Sequence, residues 1–322
     1  MVIIITDVYD TSTSKVMASL QVCKLSITRV NQNIGIKNIR YSNRSFTIET
    51  EQDKYIQSGF STSSVWYRRG SITFKVPVKS TDIKGEEIGN YLTREWDVFS
   101  YFIYDLNFII KLGSFNKEKD NNKIFNLFSA KSVGIDIPEM LLTNQKAVLL
   151  KFTKSQKYVI TKPLNRSISL FDGSVNWNSD GTLMLNEGIV GFLSDNFFPT
   201  LFQEYIEKSY EIRVFYLKGK IYSMAIFSQL DEQTKTDYRN YNRAKPNRNV
   251  PYQLPLEIEE KIRLFMDKSG LDTGSLDIIR ATDGRFVFLE VNPCGQFDWL
   301  SGNCNYYLEQ KIANYLAYGT ID

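Results

Sequence analysis

The sequence has no histidine in 322 residues. That single absence excludes a Ser-His-Asp triad, a Cys-His dyad and any imidazole-ligated zinc or iron centre. Cysteine is scarce as well. Cys23, Cys294 and Cys304 show no CxxC spacing, so neither a zinc knuckle nor a disulfide framework is expected. No apolar run approaches the roughly 20 residues that span a bilayer. The run from Val2 to Ile5 is short and has no basic segment before it, unlike a secretory signal. Nor is there an excess of either charge: 39 Lys and Arg face 36 Asp and Glu, a net of +3, too little to mark a dedicated nucleic-acid binder. Carboxylates, lysines, arginines and a bound cofactor or metal must therefore carry any chemistry. The expected setting is cytoplasmic, with no membrane and no nucleic acid as partner, and with homo-oligomerisation left open.

What is present, 43% hydrophobic and 23% charged residues, suits a globular chain of two or three domains. Residues 2–5 read as a buried strand and 12–22 as a helix packed on it. Residues 26–80, rich in Ser, Thr, Asn and Arg, suggest strands and polar loops. Trp96, Phe99, Phe102, Ile103 and Leu106 recur at helical spacing, and the polar stretch 113–122 marks a boundary. Residues 123–133 are helical in pattern (Ile124, Leu127, Phe128), stopped by Gly134 and Pro138. Strands are expected at 148–152, 158–161, 213–217 and 221–228, the last two joined by Lys218-Gly219-Lys220. Residues 231–253 read as a long loop. An amphipathic helix at 256–268 closes at Gly270. A hairpin at 275–281 and 286–291 and a last helix at 306–316 follow. The mixed order with an antiparallel C-terminal region predicts an α+β or α/β fold.

The hairpin carries the most specific chemical signal. With Asp283-Gly284 as a two-residue loop, Asp277 falls directly opposite Glu290, and Asn292 projects from the same face. Opposed side chains have Cβ atoms roughly 4.5–5.5 Å apart, where two carboxylates repel unless a cation lies between them. Ile279, Ala281, Phe286 and Phe288 are expected on that face too, a poor setting for unpaired charge. Asp, Glu and Asn oxygens suit a hard ion such as Mg²⁺. The bland alternative is a pair of solvated carboxylates.

Phe288-Leu289-Glu290-Val291-Asn292-Pro293, preceded by Asp277, resembles the metal-binding signature of ATP-grasp ligases. Asn122-Lys123 before a helix and Ile160-Thr161-Lys162-Pro163 resemble the two phosphate-binding lysines of that superfamily. Leu201-Phe202-Gln203-Glu204-Tyr205-Ile206 resembles its adenine-binding hinge, and Glu211-Ile212-Arg213 the strand after it. Further elements are similar to the graspetide (ω-ester or ω-amide) peptide maturases, and most closely to those of grasp-with-spasm systems. These are Trp66-Tyr67-Arg68-Arg69, Ser228-Gln229, Asp237-Tyr238-Arg239, Pro251-Tyr252-Gln253-Leu254-Pro255 and the tail from Asn292 to Phe297.

The resemblance implies three subdomains, here 1–118, 119–202 and 203–322, with ATP between the central and C-terminal ones. It implies that Lys123 and Lys162 hold the phosphates, that Gln203, Glu204, Tyr205 and Ile206 line the adenine site, and that Asp277, Glu290 and Asn292 hold Mg²⁺. Lys162 and Arg213 become the candidate catalytic residues. The guanidinium of Arg213 matches an acyl phosphate or a carboxylate, against the bland reading of a surface ion pair with Glu211. Tyr238, Arg239 and Arg243, in a basic and aromatic loop with Tyr241, Lys245 and Arg248, would bind the acidic core of a ribosomally made precursor peptide. Its leader is expected along 229–253. One departure is the glycine-free stretch 164–172, where Arg166 or Ser167 would replace a glycine-rich phosphate loop. The implied activity is ATP-dependent joining of Asp or Glu side chains to Ser/Thr hydroxyls or Lys amines. The alternatives are a ligase that adds a free amino acid, and a non-catalytic nucleotide- or nucleic-acid-binding protein. Cys294 has no visible activating base and is expected to pack.

Overall fold

The computed structural model describes residues 1–32, 35–42, 45–50, 55–59, 64–71, 74, 83–104, 108–165, 169–171, 173, 175–178, 181–231, 233–235, 237–239 and 242–321. Val2–Thr6, β-branched and buried throughout, is an inner strand of a parallel sheet ordered Ile27–Asn31, Val2–Thr6, Ser64–Tyr67, Ile110–Leu112. The helix Thr11–Val22 starts at Asp10, whose side chain accepts from the Thr13 N–H, and buries Val16 and Leu20. A separate antiparallel sheet joins Ile36–Ser42, Ser45–Thr50 and Tyr55–Gly59. The helix Ile83–Tyr104 forms as expected and buries Ile103, but Phe99 and Phe102 are exposed. Leu106 lies outside the described residues.

The polar stretch expected as a boundary is structured. It contains the helix Phe115–Lys119, capped by Ser114, and the Phe115 ring is buried against Tyr67 and Tyr104. Lys123–Ser132 is a helix as predicted, begun by the Asn122 side chain.

A second sheet is ordered Leu183–Leu185, Val159–Thr161, Asn196–Glu204, Met140–Gln145, with its core at Leu149, Val159, Leu185, Val190 and Phe202. Residues 148–152, predicted as a strand, belong to the helix Lys146–Gln156 instead. A short continuous apolar run fits either element. The buried Leu149 and Thr153, four residues apart, decide for the helix.

The third sheet is antiparallel and five-stranded: Arg248–Tyr252, Lys220–Phe227, Lys208–Leu217, Thr273–Ala281, Phe286–Asn292. Lys218 and Gly219, both at positive φ, make the tight turn between Lys208–Leu217 and Lys220–Phe227. Its edge strand Arg248–Tyr252 interrupts what was predicted as a long loop. Pro251 is tolerated there because an edge strand has unpaired positions. The helices Lys123–Ser132 and Leu256–Ser269, the latter closed by left-handed Gly270 as expected, cover one face around Leu127, Phe265, Leu276 and Phe288. On the other face Phe215, Leu217 and Met224 join Val2, Ile4, Trp66 and the helices Asp298–Cys304 and Leu308–Tyr318 in one core. The expected boundary between 202 and 203 falls within Asn196–Glu204. No helix of the described residues is long and apolar enough to cross a membrane.

The hairpin differs from its prediction in two ways that cancel. Its loop is Thr282-Asp283-Gly284, one residue longer, with Ala281 N–H bonded to Arg285 O, Gly284 N–H to Ala281 O, and Gly284 at φ +95°. A bulge at Leu289 then restores the offset, so Asp277 does face Glu290. Beyond the bulge the faces are exchanged. Ile278 opposes Phe288, and Phe286 and Phe288 lie in the helix-covered core, not beside Asp277. Val287 and Leu289 take the place expected for them, with Ile279 and Ala281. Phe288→Ala should therefore cost about 3–5 kcal/mol of stability, as a buried aromatic truncation does, read as a lower denaturant midpoint; a change below about 1 kcal/mol would place Phe288 outside the core.

Candidate active site

The face of the third sheet that is apolar at Leu217 and Phe215 turns polar at Arg213 and Glu211, because alternate residues of one strand share a face. Register then builds the site. Arg213 pairs across the ladder with Asp277, and Asp277 with Glu290, so three charged side chains form a row over three strands. Arg213 Nη1 donates to Asp277 Oδ1 at 2.7 Å. Burial works against the Arg213 charge, and Asp277 more than restores it, so its pKa is raised. The bland pairing of Arg213 with Glu211 does not occur. Glu211 instead meets Lys208 and the Ser228 hydroxyl, and burial still pushes its carboxyl up against both of them.

Glu290 gathers cations from three other segments. Lys123 Nζ, at the start of its helix, lies 3.4 Å from Glu290 Oε2, and Lys162 Nζ, just past the strand Val159–Thr161, lies 3.6 Å from the same atom. Arg239 Nη1 is 3.8 Å from Oε1. Burial alone would raise the Glu290 pKa, but Lys162, Lys123 and Arg239 outweigh it and hold the carboxyl below its ordinary range. Lys123 also donates to Pro163 O at 3.0 Å, which ties the helix start to the segment carrying Lys162. Tyr238 OH reaches Asp277 Oδ1 at 3.4 Å and its ring stacks on Trp299; burial, reinforced by Asp277, pushes its phenol up.

Two clefts meet at this row. A narrow slot of about 60 Å³ has apolar walls from Pro138, Ile160, Ile206, Ile279 and Leu289, and ends at Lys162, Lys208, Glu211, Asp277 and Glu290. Glu204 and Tyr205 line its mouth. Their N–H groups are taken by Glu139 O and Tyr158 O, whereas among the described residues no such bond uses the Ile206 N–H. Gln203 is buried, with its Nε2 unpaired. A second cleft of about 770 Å³ opens on the other side of Asp277 and Glu290, lined by Arg69, Arg213, Tyr238, Arg239 and Asn292.

The residues predicted for phosphate and metal thus converge, as do Glu204, Tyr205 and Ile206 of the predicted hinge and Tyr238 and Arg239, whereas buried Gln203 lines neither cleft. Arg243 is exposed and lines neither cleft. The basic loop is also divided: Lys245 donates to Leu230 O, Arg248 lies over the Phe227 ring, and Arg239 forks onto Asp237 at 2.8 and 2.6 Å. Arg166, Ser167 and Tyr241 lie outside the described residues. Lys208 and Glu211 line the slot but were not anticipated as a pair; the signal available was their i, i+3 placement before an alternating strand.

The donor set fits a hard divalent cation. Asp277 and Glu290 are directly opposed, Glu290 Oε2 is buried without a formed hydrogen bond, and the Asn292 amide oxygen lies on the same face. Among the described residues no three His, Cys, Asp or Glu side chains cluster, so such an ion would need oxygens from a phosphate as well.

No protein-family model matches the sequence, and no curated protein matches it. Solved structures do. The chain is similar to a RiPP-associated ATP-grasp ligase of Chryseobacterium gregarium, in complex with ADP and a leader and core peptide. The identity is 24% and the TM-score 0.81, over 98% of this chain and 95% of that one. It is similar to macrocyclase MdnC of Microcystis aeruginosa MRC, bound with precursor peptide MdnA, at 26% identity and TM-score 0.79, over 99% and 100% of the two chains. It also resembles the ATP-grasp ligase PsnB complexed with minimal precursor, Mg and ADP, at 15% identity and TM-score 0.70, over 98% and 96%. The fold is the ATP-grasp fold, as the sequence resemblance implied.

The fork between Arg239 and Asp237 gives a pH test. Burial raises the Asp237 pKa, but Arg239 and the Thr182 hydroxyl lower it further, leaving it below the ordinary 3.8. Its stabilisation is complete above that value and is lost as pH falls through the depressed one. Asp237→Asn should be less stable than wild type in urea at neutral pH, with the gap closing in strong acid. A gap independent of pH would mean that the charge of Asp237 is not what stabilises.

Proposed function

We propose that this chain is an ATP-dependent peptide ligase. It activates Asp or Glu side chains of a ribosomally made precursor as acyl phosphates and joins them to Ser/Thr hydroxyls or Lys amines, closing rings. The observation that carries the reading is the convergence of Lys123, Lys162 and Arg239 on Glu290, between an apolar slot and an arginine-lined cleft. Such a surplus of cation suits a polyphosphate, and phosphoryl transfer needs positioning and charge neutralisation more than a histidine. MdnC, the macrocyclase bound with a precursor peptide, supports the peptide as substrate.

Adenine takes the slot, with the Ile206 N–H as its donor and Glu204 and Tyr205 forming the wall. Lys123 and Lys162 turn from Glu290 to the phosphates. Asp277, Glu290 and Asn292 hold Mg²⁺, which when bound neutralises phosphate charge. The peptide carboxylate lies in the larger cleft, where Arg213 and Arg239 hold it in line with the γ-phosphate and Tyr238 closes the side wall. Carboxylate oxygen attacks phosphorus and ADP leaves; the hydroxyl or amine then attacks the acyl carbon, and phosphate leaves carrying the proton the nucleophile gives up. Arg243 has no part in this assignment. The three parts 1–118, 119–202 and 203–322 divide the work: peptide entry, phosphate grip, and hinge with metal. The leader lies along 229–253, where the edge strand Arg248–Tyr252 offers backbone groups. The division of the basic loop among separate partners argues against a nucleic-acid groove. A cytoplasmic setting supplies ATP and keeps Cys294 and Cys304 reduced.

Loss of one water per ring from a small acidic, Ser/Thr-rich peptide, dependent on Mg·ATP, tests the reading. An added amino-acid mass would report ligation of a free amino acid instead. Glu290→Gln should abolish turnover and lower the melting temperature, because Lys123, Lys162 and Arg239 lose the carboxylate they share. Asp277→Asn should lose turnover and also stability, since the buried Arg213 is left without its counter-charge. Turnover that persists in either variant removes the metal assignment. Lys162→Ala should raise the KM for ATP with peptide affinity unchanged; unaltered ATP kinetics would take Lys162 out of the phosphate site.

A further inference from the structure

Two adjacent arginines follow the strand Ser64–Tyr67, and their surroundings differ. Arg68 is buried and holds the fold through one nitrogen and an ion pair. It donates to Cys294 O at 2.6 Å and Gly295 O at 3.2 Å, lies over the Phe297 ring and pairs with Asp10 at 3.2 Å. Arg69 has a side chain 31% exposed. Its Nε is 3.0 Å from the same Asp10 oxygen, and its Nη2 reaches Cys294 O only at 3.5 Å. Arg69 lines the 770 Å³ cleft that holds Arg213, Arg239, Asp277 and Glu290, and also a neighbouring cleft of about 450 Å³.

The charges around it do not balance. Arg213 has Asp277, Arg239 has Asp237, and Lys123 and Lys162 share Glu290. Arg68 and Arg69 share one oxygen of Asp10, whose other oxygen already caps a helix by accepting from the Thr13 N–H. Arg29 adds a third guanidinium to the same turn, donating to the carbonyls of Asp7 and Val8. Asp7, which feels both Arg69 and Arg29, and Asp298, which lines the neighbouring cleft beside Arg69 and pairs with Lys15 at 3.7 Å, are the other carboxylates of this group among the described residues. Arg29, Arg68, Arg69 and Lys15 against Asp7, Asp10 and Asp298 leave the wall positive, and Arg69 is the member that faces the cleft.

We propose that Arg69 binds a carboxylate of the peptide substrate, so that the N-terminal lobe supplies a third arginine to the reaction cleft. The inference rests on the peptide-ligase reading. Arg69 does not line the slot that Lys162 and Lys208 line, which puts its anion on the peptide side and not on the nucleotide. A guanidinium fork matches a carboxylate in shape as well as charge.

The test compares two short synthetic Ser/Thr-rich peptides, one carrying Asp and Glu and its counterpart carrying Asn and Gln. Their affinities would be measured with Mg·ADP present on wild type, Arg69→Ala, Arg69→Lys and Asp10→Asn. Wild type should favour the acidic peptide by roughly tenfold or more, the size of one charge-assisted contact. Arg69→Ala should cut that preference by roughly tenfold at unchanged Mg·ADP affinity, leaving what Arg213 and Arg239 supply, and Arg69→Lys should recover part of the loss. Asp10→Asn keeps a good helix cap and releases positive charge, so the preference should persist or grow. A merely structural Arg69 would instead make Asp10→Asn as damaging as Arg69→Ala. No preference in wild type, or a preference that Arg69→Ala leaves undiminished, overturns the proposal. Wild-type enzyme that cyclises a peptide, with Arg69→Ala selecting the acidic one as strongly, refutes this inference alone. Wild type that dehydrates no peptide refutes the reading beneath it.

Discussion

Two carboxylates stand opposite each other in an antiparallel ladder at Asp277 and Glu290, and the rest of the site is arranged around their repulsion. Unit charges 4 Å apart interact by roughly 4 kcal/mol at an effective dielectric near 20, comparable to a large share of a domain's net stability. The opposition persists because each carboxylate has its own cations. Arg213 reaches Asp277 through strand register alone. Glu290 is met by Lys123 from a helix start, Lys162 from a strand end and Arg239 from a loop. Four segments far apart in sequence are thus drawn to one ladder position. The cost is transferred to the cations, since three of them on one carboxylate repel one another. A polyanion entering the slot would relieve that repulsion, which makes this arrangement receptive as well as stable.

The sheet makes the placement rigid by changing character along a single face. Leu217 and Phe215 belong to the core shared with the N-terminal sheet, and two residues on, Arg213 and Glu211 open onto the clefts. The bulge at Leu289 makes a second exchange. It turns Phe288 into the helix-covered core against Phe265 and leaves Leu289 to line the slot. Carboxylates and arginines on paired strands have little freedom, whereas the lysines come from separate elements and can move. That division suits a site whose metal-holding side must be fixed and whose phosphate grip must close.

Much of this was legible in the sequence, though not always for the right reason. Asp277 faces Glu290 because a longer loop and a bulge offset each other; the turn dipeptide alone implied a different loop and placed Phe286 and Phe288 on the wrong side. Gly270 and Asn122 mark helix ends through local chemistry, so they could be read directly. Residues 148–152 could not, because a short apolar run carries no period and only tertiary burial of Leu149 and Thr153 decides it. Phe99 and Phe102 fit the helical stripe yet face outward, since spacing shows which residues share a face but not what covers it. The partners of Arg213, Glu211 and Arg239 depend on register and on a loop path, which no motif records.

The N-terminal lobe also fixes the end of the metal-holding strand, whatever it does for the peptide. Asn292 Oδ1 accepts from the Cys294 N–H at 3.0 Å, which orients the amide and leaves its second lone pair for a cation. Gly295 packs so closely on Ser275 that a Cβ there would lie 2.2 Å from the serine side chain, so the turn after Asn292 has one available path. Arg68 then clamps the Cys294 and Gly295 carbonyls from the other lobe. A buried guanidinium that donates to two carbonyls and pairs with one carboxylate cannot shift without leaving charge unpaired, and the expense of that grows with burial. The position of Asn292 is therefore set jointly by the strand it ends and by an arginine more than two hundred residues earlier. The lobe that lies outside the slot thus still shapes the site around Asp277 and Glu290: it holds the turn on which the Asn292 amide depends.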